Sequence, residues 1–463
     1  MSAIPQTAVE LAAVIRSGEL SAVEATRHTL ARIERLNPDL NAFTEVTAER
    51  ALEEAATVDR SIAHGEIVGP LAGVPYAVKN LFDIKGLTTL AGSQINHDDP
   101  PAAEDATLVA RLKQAGAVLC GALNMDEYAY GFTGENAHAG PSRNPHDLAH
   151  MTGGSSGGSG SAVGGSMLPL ALGSDTNGSI RVPASLCGIF GLKPTFGRLS
   201  RAGSFALCPS LDHVGPLARS VADLAASYDA MQGPDSRDPV CQTRLPEPVS
   251  ELLGHGVQGL RIAVAGGYFR RQGTPQAFEA VERVARALGV EDEAELPEAG
   301  RARAAAYLIT NAESSNLHLE RLRERAADYD PEVRDRMLVG ALLPATWNLQ
   351  AQRFRRWYQT EVGRVFRRHD LLIAPATPMP APAIGQRNMT LDGQEMLVRP
   401  HLGLYTQPIS FIGLPVVVVP VNTPGSLPLG VQLIAAPWRE DIALRVAAQL
   451  EAEGFTAPDA PLA

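Results

Sequence analysis

Residues 151–166 read MTGGSSGGSGSAVGGS, and they lead through the apolar run Met167–Leu172 into GSDTNGSIRVP at 173–183. Taken alone, a Gly/Ser run is a flexible linker. This one is short and abuts an apolar strand. The segment beyond that strand sets two glycines among Asp175 and Arg181, an alternation of polar and apolar residues that a linker does not need. Glycines on both sides of Ser155 permit backbone angles and close approaches closed to other residues. Ser179 follows 24 residues later, in a second glycine-containing turn.

Outward from this stretch, helix and strand signals alternate. Ala8–Ser17 reads as a helix stopped by Gly18, and Ser21 with Glu24 forms a capping box for the next, with Val23, Ala25, Leu30 and Ile33 on its apolar face. Glu49–Ile62 and Asp105–Gln114 are helical; Val74–Lys79 and Ala117–Leu119 are strands. Gly233–Pro246 (GPDSRDPVCQTRLP) reads as a surface connection. Beyond it, Arg261–Ala265, Leu371–Ala374, Val416–Pro420 and Leu429–Ile434 read as strands, and 275–289, 301–325 and Asp441–Glu451 as helices, the second with a solvated, charged face. The expectation is an α/β protein: one large domain over 1–463, its central mixed sheet covered by helices on both faces.

Composition narrows the function. Forty Lys and Arg against 51 Asp and Glu give a net charge of −11, with no basic tract to neutralise a phosphate backbone, which argues against direct nucleic-acid binding. No apolar run reaches the roughly 18–20 residues of a membrane span, and the N-terminus carries Glu10 inside its apolar stretch, unlike a signal peptide. Four cysteines without a CxxC pair fit a reduced, cytoplasmic protein. The eleven histidines show no metal-binding spacing, so His138, His150 and His213 read as surface or packing residues and no metal or cofactor is expected.

Three residues can do chemistry together. Lys79 ends an otherwise apolar strand; by itself it fits a lysine snorkelling to the surface better than a base, yet in a dry site its pKa falls toward neutrality. A serine hydroxyl is a weak nucleophile until a neighbour takes its proton, and a glycine-rich turn offers backbone N–H donors to an oxyanion. Ser155, Ser179 and Lys79 therefore suggest amide hydrolysis. Cys187 reads as a small buried hydrophobe.

The whole stretch from Gly153 to Ser200, with LAGVPYAVKNLFD (71–83), GALNMDEYAYG (121–131), GPSRNPHD (140–147) and LPLGVQLIA (427–435), is similar to the amidase signature family over nearly the full chain, with a signature core of about 70–220. The resemblance implies a Ser–cis-Ser–Lys triad and an acyl-enzyme, with Ser179 the nucleophile, Ser155 on a cis peptide the bridge and Lys79 the base. Backbone N–H groups of Thr176, Asn177 and Gly178 would form the oxyanion hole. Asp175 and Arg181 read as a structural pair, and Ser156 as a hydrogen-bonding support. Asn177 in DTNGS and GVQLIAAPW resemble most the subgroup that hydrolyses 1-carboxybiuret, which implies a small anionic amide substrate, ammonia release, and a small helical partner subunit in a homo- or hetero-oligomer. Met125 and Arg336 are candidate substrate contacts; a solvated helix arginine accounts for Arg336 equally well. Arg353, Arg355 and Arg356 read as a surface face. The glutaminase subunit of a tRNA-dependent amidotransferase, an amidase of purine-nitrogen catabolism and a non-catalytic scaffold on the same fold remain as alternatives.

Overall fold

A computed structural model describes residues 4–460; the three residues at either end of the expected 1–463 span lie outside the described residues. One sheet of eleven strands forms the centre. In chain order they are β1 (Phe43–Val46), β2 (Pro75–Lys79), β3 (Val118–Leu123), β4 (Leu170–Asp175), β5 (Phe190–Lys193), β6 (His213–Ala218), β7 (Ile262–Ala265), β8 (Glu293–Ala294), β9 (Leu371–Pro375), β10 (Val416–Val421) and β11 (Leu429–Ala435). Their spatial order is β1-β3-β2-β4-β6-β5-β10-β11-β9-β7-β8. β2 runs parallel to β3 and β4, whereas the pairs from β4 through β6, β5, β10 and β11 to β9 are antiparallel. The sheet is thus mixed, and helices flank it. Most of its central strands are buried along their whole length, which is why they read as continuous apolar runs rather than alternating ones.

The N-terminal helices form as their caps dictate. Gly18 closes Ala8–Ser17 in the left-handed conformation (φ 79°), and Ser21 and Glu24 make both bonds of the capping box on Ala22–Leu40. The Gly/Ser run is no linker. Gly157–Gly164 is a helix buried at every residue. It is built of small residues because nothing larger fits: a Cβ on Gly158 would lie 2.4 Å from the Ala42 carbonyl oxygen. Its serines satisfy buried acceptors, Ser159 Oγ donating to Leu172 O at 2.9 Å and Ser161 Oγ to Arg143 O at 2.7 Å.

Two expectations change. The helix expected over 301–325 is two, Ala299–Leu317 and Leu319–Arg325, broken at His318. His318 is buried, with Nδ1 3.1 Å from Tyr329 Oη and its ring edge-on to Tyr128, so aromatic packing overrides helix continuity. The first of these helices also buries Ala302, Ala306, Ile309 and Thr310, so its charge belongs to one face only. Arg355 does not join a surface face: from the helix Ala345–Val365 it reaches inward and donates to Phe411 O at 2.6 Å and Ser210 O at 2.9 Å. Among the described residues, no helix is long and apolar enough to cross a membrane.

Candidate active site

β2 and β4 are parallel neighbours, with Val78 opposite Leu172. Their carboxyl ends therefore emerge side by side, and Lys79, Ser174 and Asp175 reach the same edge of the sheet, where open α/β sheets place their ligands. Lys79 is fully buried, and its Nζ lies 2.6 Å from Ser155 Oγ and 2.9 Å from Ser174 Oγ. Burial lowers the Lys79 pKa to about 7; the nearby carboxylates of Asp126, Asp175 and Asp212 pull the other way and only partly offset it.

Ser155 is fully buried, and the Gly154–Ser155 peptide is cis. The turn is clamped from two sides: Gly154 N donates to Phe132 O at 2.8 Å, and Asp126 N donates to Ser155 O at 3.2 Å. Ser156 joins the two serine segments. Its N–H donates to Ser179 O at 3.3 Å, and its hydroxyl donates to Ser174 O at 3.2 Å. Residues 153–157 spell G-x-S-x-G, yet this is no nucleophile elbow of the histidine type: the Ser155 hydroxyl faces a lysine.

The turn after β4 carries Thr176, Asn177, Gly178 and Ser179. Gly178 has φ 148°, and a Cβ there would lie 2.2 Å from Thr406 Oγ1, so only glycine fits. Side chains anchor the turn: Thr176 Oγ1 donates to Asp212 Oδ1 at 2.6 Å, Asn177 Nδ2 to Thr310 Oγ1 at 2.9 Å, and Thr406 Oγ1 to Asn177 O at 2.7 Å. Among the described residues, the backbone N–H groups of Thr176, Asn177, Gly178 and Ser179 donate to no protein acceptor. A buried turn with four uncommitted donors can stabilise an oxyanion.

Asp175 and Arg181 form a fully buried bidentate pair, with Nε to Oδ2 and Nη2 to Oδ1 both 2.9 Å. Burial raises the Asp175 pKa, but the Arg181 charge and hydrogen bonds win and hold it well below the usual carboxylate range. Arg181 also donates to Thr406 O, Gln432 Oε1 and Ser410 Oγ. Asp175→Asn leaves that guanidinium buried without its counter-charge, which costs about 3–5 kcal/mol. The expected result is a lower denaturant midpoint at an unchanged slope; a loss below about 1 kcal/mol would refute the pairing as the anchor of this turn.

Arg336 lines a cavity of about 470 Å³ together with Thr133 and Arg399. Its Nη1 donates to Tyr130 O at 3.3 Å, and the guanidinium stacks over the Tyr130 ring at 5.2 Å. Met125 does not share that cavity; its side chain is buried in the core, one residue before Asp126. His213 is buried behind the site, its Nδ1 3.0 Å from Asp175 O, and Cys187 is fully buried. Among the described residues, no cluster of His, Cys, Asp and Glu is arranged to hold a metal. Sequence reasoning missed Ser174 and Asp126, although both lie inside quoted motifs. Strand alternation along β4 was the available signal for Ser174; for Arg399 there was none.

The amidase family model matches residues 24–444. The chain is 54% identical over 450 residues to AtzE, a 1-carboxybiuret hydrolase subunit of Pseudomonas sp. (strain ADP), covering 96% of this chain and 98% of that protein. It is 39% identical over 474 residues to a glutamyl-tRNA(Gln) amidotransferase subunit from Chromohalobacter salexigens, covering 96% of each. A solved, inhibitor-bound structure, described as an unexpected vestigial protein complex that reveals the evolutionary origins of an s-triazine catabolic enzyme, superposes with a TM-score of 0.96. The two are 53% identical over 97% of this chain and 99% of that one. By its signature, its fold and these relatives, the chain belongs to the amidase family.

Proposed function

We propose that the chain hydrolyses 1-carboxybiuret, releasing ammonia and leaving urea-1,3-dicarboxylate. As an amidase it is a hydrolase of amide C–N bonds; the narrower substrate is supported by 54% identity to AtzE across almost the whole of both chains.

The observation that carries the mechanism is the 2.6 Å contact between a fully buried Lys79 Nζ and Ser155 Oγ. With its pKa brought down to about 7 by burial, the amine is largely neutral above that pH. Its lone pair accepts the Ser155 proton while an N–H donates to Ser174. Ser155 in turn accepts the proton of Ser179, which attacks the amide carbon. The N–H groups of Thr176, Asn177 and Gly178 stabilise the resulting oxyanion. The relay returns a proton to the leaving nitrogen, and ammonia departs. Water then attacks the acyl-enzyme, its proton taken by the same relay, and Ser179 is restored. Asp175 and Arg181 hold the turn, Ser156 ties it to the Ser155 segment, and Arg336 binds the substrate carboxylate.

A small helical partner subunit is part of the reading, supported by the protein complex in which the similar solved chain was found. We place the enzyme in the cytoplasm, in keeping with four free cysteines.

The test is a panel of 1-carboxybiuret, biuret, allophanate, malonamate, oxamate and glutamine, assayed for ammonia with and without the small subunit. Turnover of 1-carboxybiuret at least about 100-fold above glutamine in kcat/KM is expected. Glutamine hydrolysis as the dominant activity, coupled to charged tRNA, would overturn the substrate in favour of an amidotransferase. A chain inert toward every amide and unlabelled by a fluorophosphonate would be a scaffold.

A further inference from the structure

We propose that Arg399 is a specificity-determining residue that binds the anionic end of the substrate, acting with Arg336 in one cavity. This rests on the reading of the chain as a hydrolase of small anionic amides.

The cavity of about 470 Å³ lies near the serine segment without including it: Phe132, next in sequence to the lining residue Thr133, accepts from Gly154 N at 2.8 Å. Thr133 lines it, and the Thr133 and Gly134 N–H groups donate to the Asp126 carboxylate at 3.4 and 2.9 Å. Asp126 in turn presses on the residue before Ser155: a Cβ on Gly154 would lie 2.2 Å from Asp126 Oδ1. One layer of residues thus separates the cavity floor from the cis peptide.

Arg399 stands on the short helix Val398–His401, which follows the hairpin formed by Asn388–Leu391 and Gln394–Leu397. Its side chain is 13% exposed. Glu135 Oε2 lies 4.0 Å from Nη2, too far for a hydrogen bond, and Nη1 is buried with no partner among the described residues. Neighbouring arginines are committed differently. Arg303 is engaged by Gln407 Oε1 and Pro400 O. Arg387, on the rim, is 85% exposed and solvated. Of the acidic residues of the wall, Asp330 caps the helix Pro331–Ala341, Glu135 Oε1 accepts from Gly385 N at 2.7 Å, and Glu332 lies 3.7 Å from the exposed Arg387.

A buried guanidinium edge without an acceptor is unfavourable unless an anion completes it. The planar edge matches a carboxylate better than any neutral group. Arg336, held by Tyr130, supplies the second positive charge in the same cavity. Two arginines there select a carboxylate-bearing amide over its neutral analogue.

Arg399→Met removes the charge while keeping length and apolar bulk, and Arg399→Lys keeps a charge without the fork. For Arg399→Met, KM for 1-carboxybiuret is expected to rise about 10- to 100-fold with kcat nearly unchanged, while kcat/KM for neutral biuret stays within about threefold. Arg399→Lys should recover part of the loss. An equal fall on the charged and neutral amides, or no change on either, would overturn the assignment. Calorimetric binding of malonate gives a readout independent of the true substrate. Malonate should bind the wild-type chain and bind Arg399→Met about 10-fold or more weakly. Malonate binding that is equal in both, or absent from the wild type, also overturns it. If malonate behaves as expected but no form turns over 1-carboxybiuret, only the named substrate fails.

Discussion

Ser179→Ala is expected to lower amide turnover by roughly 10⁴-fold or more, leaving at most the residual rate that binding and the oxyanion donors sustain. The loss is this large because an alanine cannot form the acyl bond, so the reaction loses its intermediate rather than one contact. The fold should survive. Ser179 Oγ makes no hydrogen bond to another protein group among the described residues, and the turn is held instead by Asp175, Thr406 and Thr310. Its melting temperature should therefore stay within about 2 °C of wild type. A fluorophosphonate should label the wild-type chain once, at Ser179, and leave the variant unlabelled. Turnover within tenfold of wild type would remove Ser179 from the role of nucleophile.

Lys79 gives the second large effect, and it is tied to pH. The ammonium form has no lone pair, so only the neutral amine can take the Ser155 proton. With a pKa of about 7, the active fraction is small near pH 6, about half at 7 and nearly complete at 9. The kcat/KM profile should rise through neutrality and then level. Lys79→Arg keeps a cation that does not deprotonate in proteins, and it should be inactive across the whole range. Lys79→Ala should lose about 10³- to 10⁴-fold near pH 7, its residual rate growing only at high pH, where hydroxide replaces the base. A flat profile between about pH 5.5 and 9, or an active Lys79→Arg, would end the assignment.

The same shift links to stability. The unfolded amine keeps its proton up to about 10.4, while the folded one gives it up near 7. Between these values the unfolded chain binds more protons, so this residue's contribution to stability increases as pH rises from about 7 to 10.4. Below 7 that contribution is at its lowest, because the ammonium must then be held in a dry site against the three nearby carboxylates' incomplete compensation.

The elements that were legible from sequence are those whose cause is local. Gly18 stops a helix because it adopts φ 79°, and Ser21 with Glu24 makes a capping box from four consecutive residues. Strands β2, β3, β9, β10 and β11 announced themselves as apolar runs because the sheet buries them throughout. Among the strands that were missed, β5 and β6 carry Gly191, Lys193, His213 and Gly215, residues that only a sheet already in place would accept. The break at His318 was invisible for the same reason: the rings it meets, Tyr128 and Tyr329, come from distant or separate segments.

The candidate site divides in the same way. The glycine-flanked serines, the lysine ending an apolar strand and the Asp175–Arg181 spacing are properties of short stretches, and the chain alone determined them together with the family they mark. Whether Lys79 is a base or a surface cation is not such a property. Parallel pairing of β2 with β4 sets its amine beside Ser155 and Ser174 and strips away its water, and that desolvation, not any neighbour in sequence, lowers its pKa. Arg399 is the extreme case, since nothing in VRPH marks a ligand. Its buried, unmatched edge arises only where a hairpin and a short helix fold against the loop around Thr133, because desolvation depends on every surrounding segment at once.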